Sequence, residues 1–312
     1  MTSAWTWGDF PPAEIRLHRL HDVIVAAEGL VFLPGGELVP ASITQHAPDE
    51  IAEARRSIEA AGGDLPVLTG PLVLCIKRGT GNYGHWLAEM LPAALLANRM
   101  LGPEVRFLVP EVPGALGAAI RDSLGLAGIG PDRVVSRGKA AYRVADLTMV
   151  HGLSLHGLYL SPHMVETLQD LAAPVIAAAP GCRLWVSRAG QNRCLWNERE
   201  VEAVLRTLGW RVVDPGQMPF PDQVALFKGA ARVAGVMGAG LANLLFAPRG
   251  ARVDVFAPAA MPDTFFWLIA CLRGLDHRET RCLQPAVSLG PAPWDGGVVL
   301  SLTEILAALG EA

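Results

Sequence analysis

Three short stretches carry residue types able to do chemistry together. In "GTGNYGHWLAEMLP" (79–92), His85 and Glu89 are four positions apart, so a helix would place them on one face. A carboxylate beside an imidazole tunes it as a base for taking a proton from a hydroxyl. A packed histidine in a structural ion pair is the other reading. In "SRAGQNR" (187–193), Arg188 stands at the mouth of a strand, with Arg193 close enough to assist. A guanidinium fork there would grip a diphosphate; a solvated surface arginine is the alternative.

The third stretch is "GVMGAGLANLLFAP" (235–248). Its Gly238-Ala239-Gly240 turn follows a strand and opens a helix, and the free N–H groups of a helix start favour an anion, especially phosphate. The same glycines would also serve simply to pack helix against strand. As a dinucleotide fingerprint the turn is incomplete, since the third glycine is missing and no acidic residue ends the next strand suitably. Met237 is expected at the lip of the turn, offering a polarizable apolar contact.

The whole chain bounds these readings. It has 312 residues, 51% hydrophobic and 18% charged, enough to bury a substantial core in one large or two ordinary domains. Lys plus Arg total 26 against 30 Asp plus Glu, so the basic excess of a nucleic-acid surface is missing and an anionic ligand must be met locally. Only Lys77, Lys139 and Lys228 are lysines, a bias that suits bidentate anion contacts or reflects genome base composition. The five cysteines are scattered without C-x-x-C spacing, which indicates neither a zinc site nor a disulfide framework and fits a reducing cytoplasm. No H-E-x-x-H, D-x-D or G-x-S-x-G occurs, so metalloprotease, metal-bridged nucleotide and serine-hydrolase readings lack support. No apolar run reaches the ~20 residues of a membrane span. "FFWLIACL" (265–272) reads as buried core, with contact to a membrane or partner as the alternative.

The elements that must position these residues alternate between strand and helix, the pattern of an α/β architecture with parallel sheets. In the first half, strands are expected over 71–78 and 105–110, with helices around 85–100 and 114–124. Two short strands, "RVVS" and "RVADLTMV", lead through "HGLSLHGLYLSPHM" (151–164) to a helix over 165–173. "AAAPG" (177–181) is the expected hinge between two domains, 1–176 and 177–312. In the second half a strand at 183–187 precedes a helix with Asn197 as N-cap and Glu200 three residues on, a capping-box arrangement. Val201, Val204, Leu205 and Leu208 give that helix a core-facing side. Strand "RVVD", a helix over 222–231, a strand over 232–237, a short helix from Gly240 and a strand over 252–256 complete a Rossmann-like half. The last helix carries Ser301 and Glu304 in a second capping box.

Taken in order, "GNYGHWLAEMLP", "SRAGQNRCLWNEREVEAVLRTLGWRVVDP" and "QVALFKGAARVAGVMGAGLANLLFAP" resemble glycosyltransferase family 61, once catalogued as a domain of unknown function. "FFWLIACLRGLDH" resembles the stretch that follows there, so the likeness runs from about residue 72 to 277. It implies a GT-B-like fold, two Rossmann-like α/β domains facing a cleft, the first on the acceptor side and the second binding the nucleotide sugar. It also implies metal-independent inverting transfer and, in bacterial relatives, a link to surface (capsular) polysaccharide. Arg188 matches the family's serine-arginine motif, expected on the donor diphosphate, and Gly238 and Gly240 match its H-G-A-G turn. Met237 stands where that turn has histidine. The expected activity is a cytoplasmic glycosyltransferase with Glu89 or His85 as base and no metal or other cofactor. Arg188, Arg193, Met237, Gly238, Ala239, Gly240 and Asn243 would hold a nucleoside diphosphate sugar, a UDP-sugar first. A non-catalytic nucleotide-sugar-binding or assembly protein, or an epimerase or hydrolase on the same fold, are the rival readings, and a peripheral membrane or homo-oligomer contact stays open.

Overall fold

The computed structural model describes residues 13–285 and 292–311. The described chain divides into two compact units, one ending at Leu171 and the other starting at Ala172. The expected hinge therefore falls inside the second unit. Ala178 N–H donates to Ala225 O and Gly181 N–H to Gly229 O, which fastens this segment to a helix of that unit.

The first unit runs β1 (Arg16–Val25), β2 (Val31–Phe32), α1 (Pro48–Ala61), β3 (Val67–Leu74), α2 (Tyr83–His85), α3 (Leu91–Leu101), β4 (Arg106–Pro110) and α4 (Gly114–Leu126). It continues with β5 (Val134–Arg137), β6 (Tyr142–His151), β7 (Ser154–Leu155), β8 (Tyr159–Leu160) and α5 (Pro162–Ala172). Six strands form a mixed sheet in the order β2-β1-β6-β3-β4-β5. The four strands β6, β3, β4 and β5 are parallel, whereas β1 is antiparallel to β6 and to β2. This departs from a purely parallel sheet. Val23, Val25, Leu72, Leu108, Val144 and Leu147 pack together on it as a buried core.

The second unit runs β9 (Cys182–Val186), α6 (Glu198–Thr207), β10 (Arg211–Val213), α7 (Phe220–Gly229), β11 (Ala230–Val236), β12 (Arg252–Pro258), α8 (Phe265–Arg273), β13 (Asp276–Cys282) and α9 (Leu302–Leu309). Its five strands are all parallel, in the order β10-β9-β11-β12-β13. A crossover helix between successive strands makes this order accessible, because each helix returns the chain to the start of the sheet.

Local signals were met unevenly. The capping box of α9 forms, Ser301 Oγ accepting from Glu304 N–H while Glu304 Oε2 accepts from Ser301 N–H. At α6 it does not, because Asn197 makes no side-chain cap. Glu198 is used instead: its two oxygens accept the N–H groups of Arg188 and Leu195. The segment "FFWLIACL" becomes α8 with Phe265, Phe266, Leu268 and Ile269 buried, so it is core. Among the described residues no helix is long and apolar enough to cross a membrane.

Candidate active site

In both sheets the strand order reverses at one place, and ligands of open α/β sheets bind beyond the strands' carboxyl ends at such a reversal. In the first unit the chain leaves β3 toward β4 and β5, then returns to place β6 on the other side of β3. In the second unit it leaves β9 toward β10, then returns to place β11 on the other side of β9. Each reversal carries one of the residue sets singled out in the sequence.

Beyond β3 come Lys77, Gly79 and then His85 at the end of α2, whose start is capped by Asn82 Oδ1 accepting from Gly84 N–H at 2.7 Å. The helix does not continue in α form. Residues Trp86–Met90 make a π turn, closed by Leu91 N–H donating to Trp86 O five residues back. Pro92 supplies the cause: it has no N–H to offer the carbonyl four residues earlier, and a widened turn absorbs the missing bond. Glu89 sits in this turn with its side chain 3% exposed.

Three basic groups converge on that carboxylate. Lys77 Nζ lies 3.6 Å from Oε2. His85 Nδ1 and His156 Nδ1 lie 2.6 and 3.1 Å from Oε1. The His156 contact has the alignment of a hydrogen bond, while His85 Nδ1 is the closer of the two to Oε1. Burial alone would raise the Glu89 carboxyl, but His156, His85 and the Lys77 charge outweigh it and hold the group well below the usual carboxylate range. Lys77, conversely, is lowered by burial against the opposing pull of Glu89. A carboxyl held low in this way favours its ionised form, which suits Glu89 to partner the imidazoles more than to take a proton itself.

The ligand atoms of His85, Glu89 and His156 lie within 4.8 Å of one another, a spacing compatible with a metal ion. The imidazole rings are stacked at 4.2 Å with 24° between planes. Lys77 already brings a positive charge to Glu89. The group is suited to proton transfer: with Nδ1 turned to a carboxylate, an imidazole presents Nε2 as the basic nitrogen. His85 and His156 line a cavity of about 890 Å³ together with Lys77, Arg78 and residues of α1 such as Asp49 and Glu53.

His156 was not among the residues singled out. It lies 67 positions from Glu89, in the turn of the β7–β8 hairpin that follows β6. The parallel pairing of β3 with β6 brings the two loops together.

In the second unit Arg188 follows β9 and Gly238 follows β11. They are in close contact: a Cβ on Gly238 would stand 1.8 Å from Arg188 Nη1, so glycine is required for the guanidinium to lie there. Arg188 is 9% exposed. Its Nη2 donates to Asn192 O at 2.6 Å, but its Nε is buried without a partner. Arg193, held at φ 60°, also has a buried Nε without a partner, and its Nη1 reaches only Met261 Sδ at 3.9 Å. Among the described residues neither guanidinium has a carboxylate in salt-bridge reach. Burial, with the Arg193 charge added, brings Arg188 down to about 10. Glu198 and Asp214 oppose that shift only in part, and an incoming anion would relieve more of the cost of burying the charge.

The remaining residues of the expected donor set divide. Ala239 and Gly240 are partly exposed at the start of the short helix expected there, which is a 3-10 helix, Ala239–Phe246. Asn243 is fully buried and donates to Gln223 Oε1 at 2.9 Å and Gly240 O at 3.1 Å, so it holds the turn from behind. Met237 is corrected: at 1% exposed, its side chain is in the core and does not stand at the lip of the turn. Its N–H continues the sheet by donating to Phe256 O.

Comparison with known proteins bears on 171 of the 312 residues: positions 83–253 match the sequence model of a family described as Glycosyltransferase 61. No curated protein matches the chain. Among solved structures, the bacterial iron-containing dodecameric glycosyltransferase TibC from enterotoxigenic E. coli H10407 is 15% identical, covering 84% of this chain and 82% of that one at a TM-score of 0.31. The dodecameric iron-containing heptosyltransferase TibC in complex with ADP-D-beta-D-heptose is 14% identical, covering 92% and 82% at a TM-score of 0.32. Likeness at that level carries no structural argument.

Proposed function

Because the chain belongs to the Glycosyltransferase 61 family and is a glycosyltransferase, we propose that it moves a sugar from a nucleoside diphosphate donor, UDP first, to a carbohydrate hydroxyl. The second unit takes the donor and the first takes the acceptor, in a fold of the GT-B kind. The observation that carries this reading is Arg188: nine-tenths buried, seated on Gly238 at the reversal of strand order, with an unpartnered Nε. A diphosphate supplies the charge and the acceptor oxygens that Arg188 and Arg193 lack.

In this reading His85 is the base. Its Nε2 takes the acceptor hydroxyl proton as that oxygen forms a bond to the anomeric carbon and the carbon–diphosphate bond breaks, with the electron pair leaving on the diphosphate. Glu89 orients His85 and stabilises the imidazolium that forms, as a buried carboxylate does for a catalytic histidine. His156 shares the same oxygen and fixes Glu89 in place. Arg188, Arg193 and the backbone of the Gly238–Gly240 turn stabilise the departing diphosphate, so the scheme needs no metal. A single displacement inverts the anomeric configuration. A place in the synthesis of surface polysaccharide belongs to the same reading.

The test is a panel of nucleoside diphosphate sugars offered with and without saccharide acceptors. The expected result is acceptor-dependent release of the nucleoside diphosphate and a product of inverted anomeric configuration by NMR. Equal release without acceptor would instead indicate a hydrolase, and a retained configuration would overturn the single displacement.

A further inference from the structure

Glu28 has φ 56° and ψ 26°, a left-handed conformation uncommon for a residue with a side chain, inside the short turn between β1 and β2. Such backbone persists where its surroundings over-determine it, and it concentrates at functional sites. Here the surroundings are the loop that leads to His85. Glu28 Oε2 accepts the N–H groups of Gly79 at 2.5 Å and Thr80 at 3.3 Å, and Oε1 accepts the Thr80 hydroxyl at 2.9 Å. The Glu28 carbonyl accepts from His46 Nε2 at 3.2 Å, which fixes the turn from its other side.

Gly79 is the platform for the base. It has φ 89°, and a Cβ there would stand 2.8 Å from His85 Cδ2, so the imidazole rests directly on the glycine backbone. Gly79 O also accepts from Asn82 N–H at 2.9 Å, closing the turn that enters α2. One carboxylate therefore holds the backbone that one face of the His85 ring touches, while Glu89 holds its Nδ1.

We propose that Glu28 is a positioning residue for sugar transfer: its carboxylate fixes the Gly79–Thr80 backbone under His85 and thereby sets the direction of His85 Nε2. The assignment rests on His85 being the base. It accounts for a strained non-glycine residue at a position where glycine would relax the backbone, because glycine has no carboxylate to offer. A displacement of about 1 Å in a reacting group is enough to reduce turnover on the order of a hundredfold.

The experiment compares Glu28→Gly, Glu28→Ala and Glu28→Gln with wild type and with His85→Ala. Glu28→Gly keeps the turn unstrained, so it separates the carboxylate from the fold. Expected are a fall in kcat of roughly 10- to 100-fold for Gly and Ala, a partial recovery for Gln, a changed pH–rate profile, moved His85 imidazole nitrogen shifts by NMR, and unchanged UDP affinity. Wild-type kcat and pH profile in Glu28→Gly, with His85→Ala inactive, would overturn the positioning role alone. A loss of kcat that only tracks the folded fraction, with profile and nitrogen shifts unmoved, would overturn it too. Full turnover in His85→Ala would instead overturn the base assignment, and the role of Glu28 with it.

Discussion

His85 and His156 stack with ring centroids 4.2 Å apart, and the Nδ1 atoms of both meet the same oxygen of Glu89. The two imidazoles differ in setting: His156 makes an aligned hydrogen bond to that oxygen, while His85 Nδ1 lies closer to it, at 2.6 Å, with its ring against Gly79. His85→Ala should lower kcat by about 10²–10⁴, the usual contribution of a general base. His156→Ala should act through Glu89 and cost less. Glu89→Gln should lower kcat while donor affinity holds. Steady-state kinetics with calorimetric donor titration separates these, and equal losses for both histidines would contradict the division of roles.

Arg188→Ala should weaken binding of a nucleoside diphosphate by about 1.5–3 kcal/mol, the range for a hydrogen bond to a charged group. Gly238→Ala should do the same indirectly, since its methyl group would occupy the guanidinium's place. Calorimetry with UDP reads both. Unchanged affinity in Arg188→Ala would remove the arginine from the donor site.

Met237→His places an imidazole in a packed core where Met237 is 1% exposed. The expected outcome is a loss of stability of about 1–3 kcal/mol, the cost of a buried polar group without a partner, with no gain in diphosphate affinity. Urea denaturation and UDP titration of the same variant check it. Tighter binding would show that the side chain reaches the ligand after all.

The second unit should lose stability in mild acid through His277. Burial is the main cause that lowers this group to about 4, opposed by Asp276, and its Nε2 has no partner. Its folded value lies below the ordinary ~6.5 of an unfolded histidine, so the unfolded chain binds the proton first. Stability is therefore complete above ~6.5 and declines as pH falls toward 4, by up to about 3 kcal/mol. Denaturation midpoints across that window should flatten in His277→Gln. A slope equal to wild type in that variant would assign the effect elsewhere.

Chelation should leave transfer intact. Lys77 already brings a positive charge to the Glu89 cluster, and the proposed scheme draws the positive field on the diphosphate from Arg188 and Arg193. Turnover measured before and after exhaustive treatment with EDTA should agree, and activity restored only by an added divalent ion would contradict the scheme.

The sequence was informative where chemistry and periodicity coincide locally. The alternation over 183–256 marks the strands and helices of the second unit, and Arg188 and Gly238 lie at the strand ends where they were expected. His85 and Glu89 do come together, though through a π turn and not the α-helical face that their spacing suggests. Pro92, two residues after Met90, is the signal that was there to be read. His156 was out of reach for a different reason: its meeting with Glu89 depends on which strand β3 pairs with, and no local pattern specifies that choice. Met237 was misplaced because a residue just past a strand can point to the ligand or into the core, and only packing decides.

The position of β6 has a consequence for how the first unit forms. β6 is the last of the six sheet strands to be synthesised, yet it lies between β1 and β3 and joins the antiparallel pair to the parallel set. Until it arrives, β1 and β3 are both open edges, and closing the sheet spans more than a hundred residues, a slow non-local step. The β7–β8 hairpin follows β6 directly. His156 thus reaches Glu89 only after that insertion, so the hydrogen bond between them marks the completion of folding in the first unit. Its appearance during refolding would date the moment at which the Glu89 cluster of the first unit is assembled.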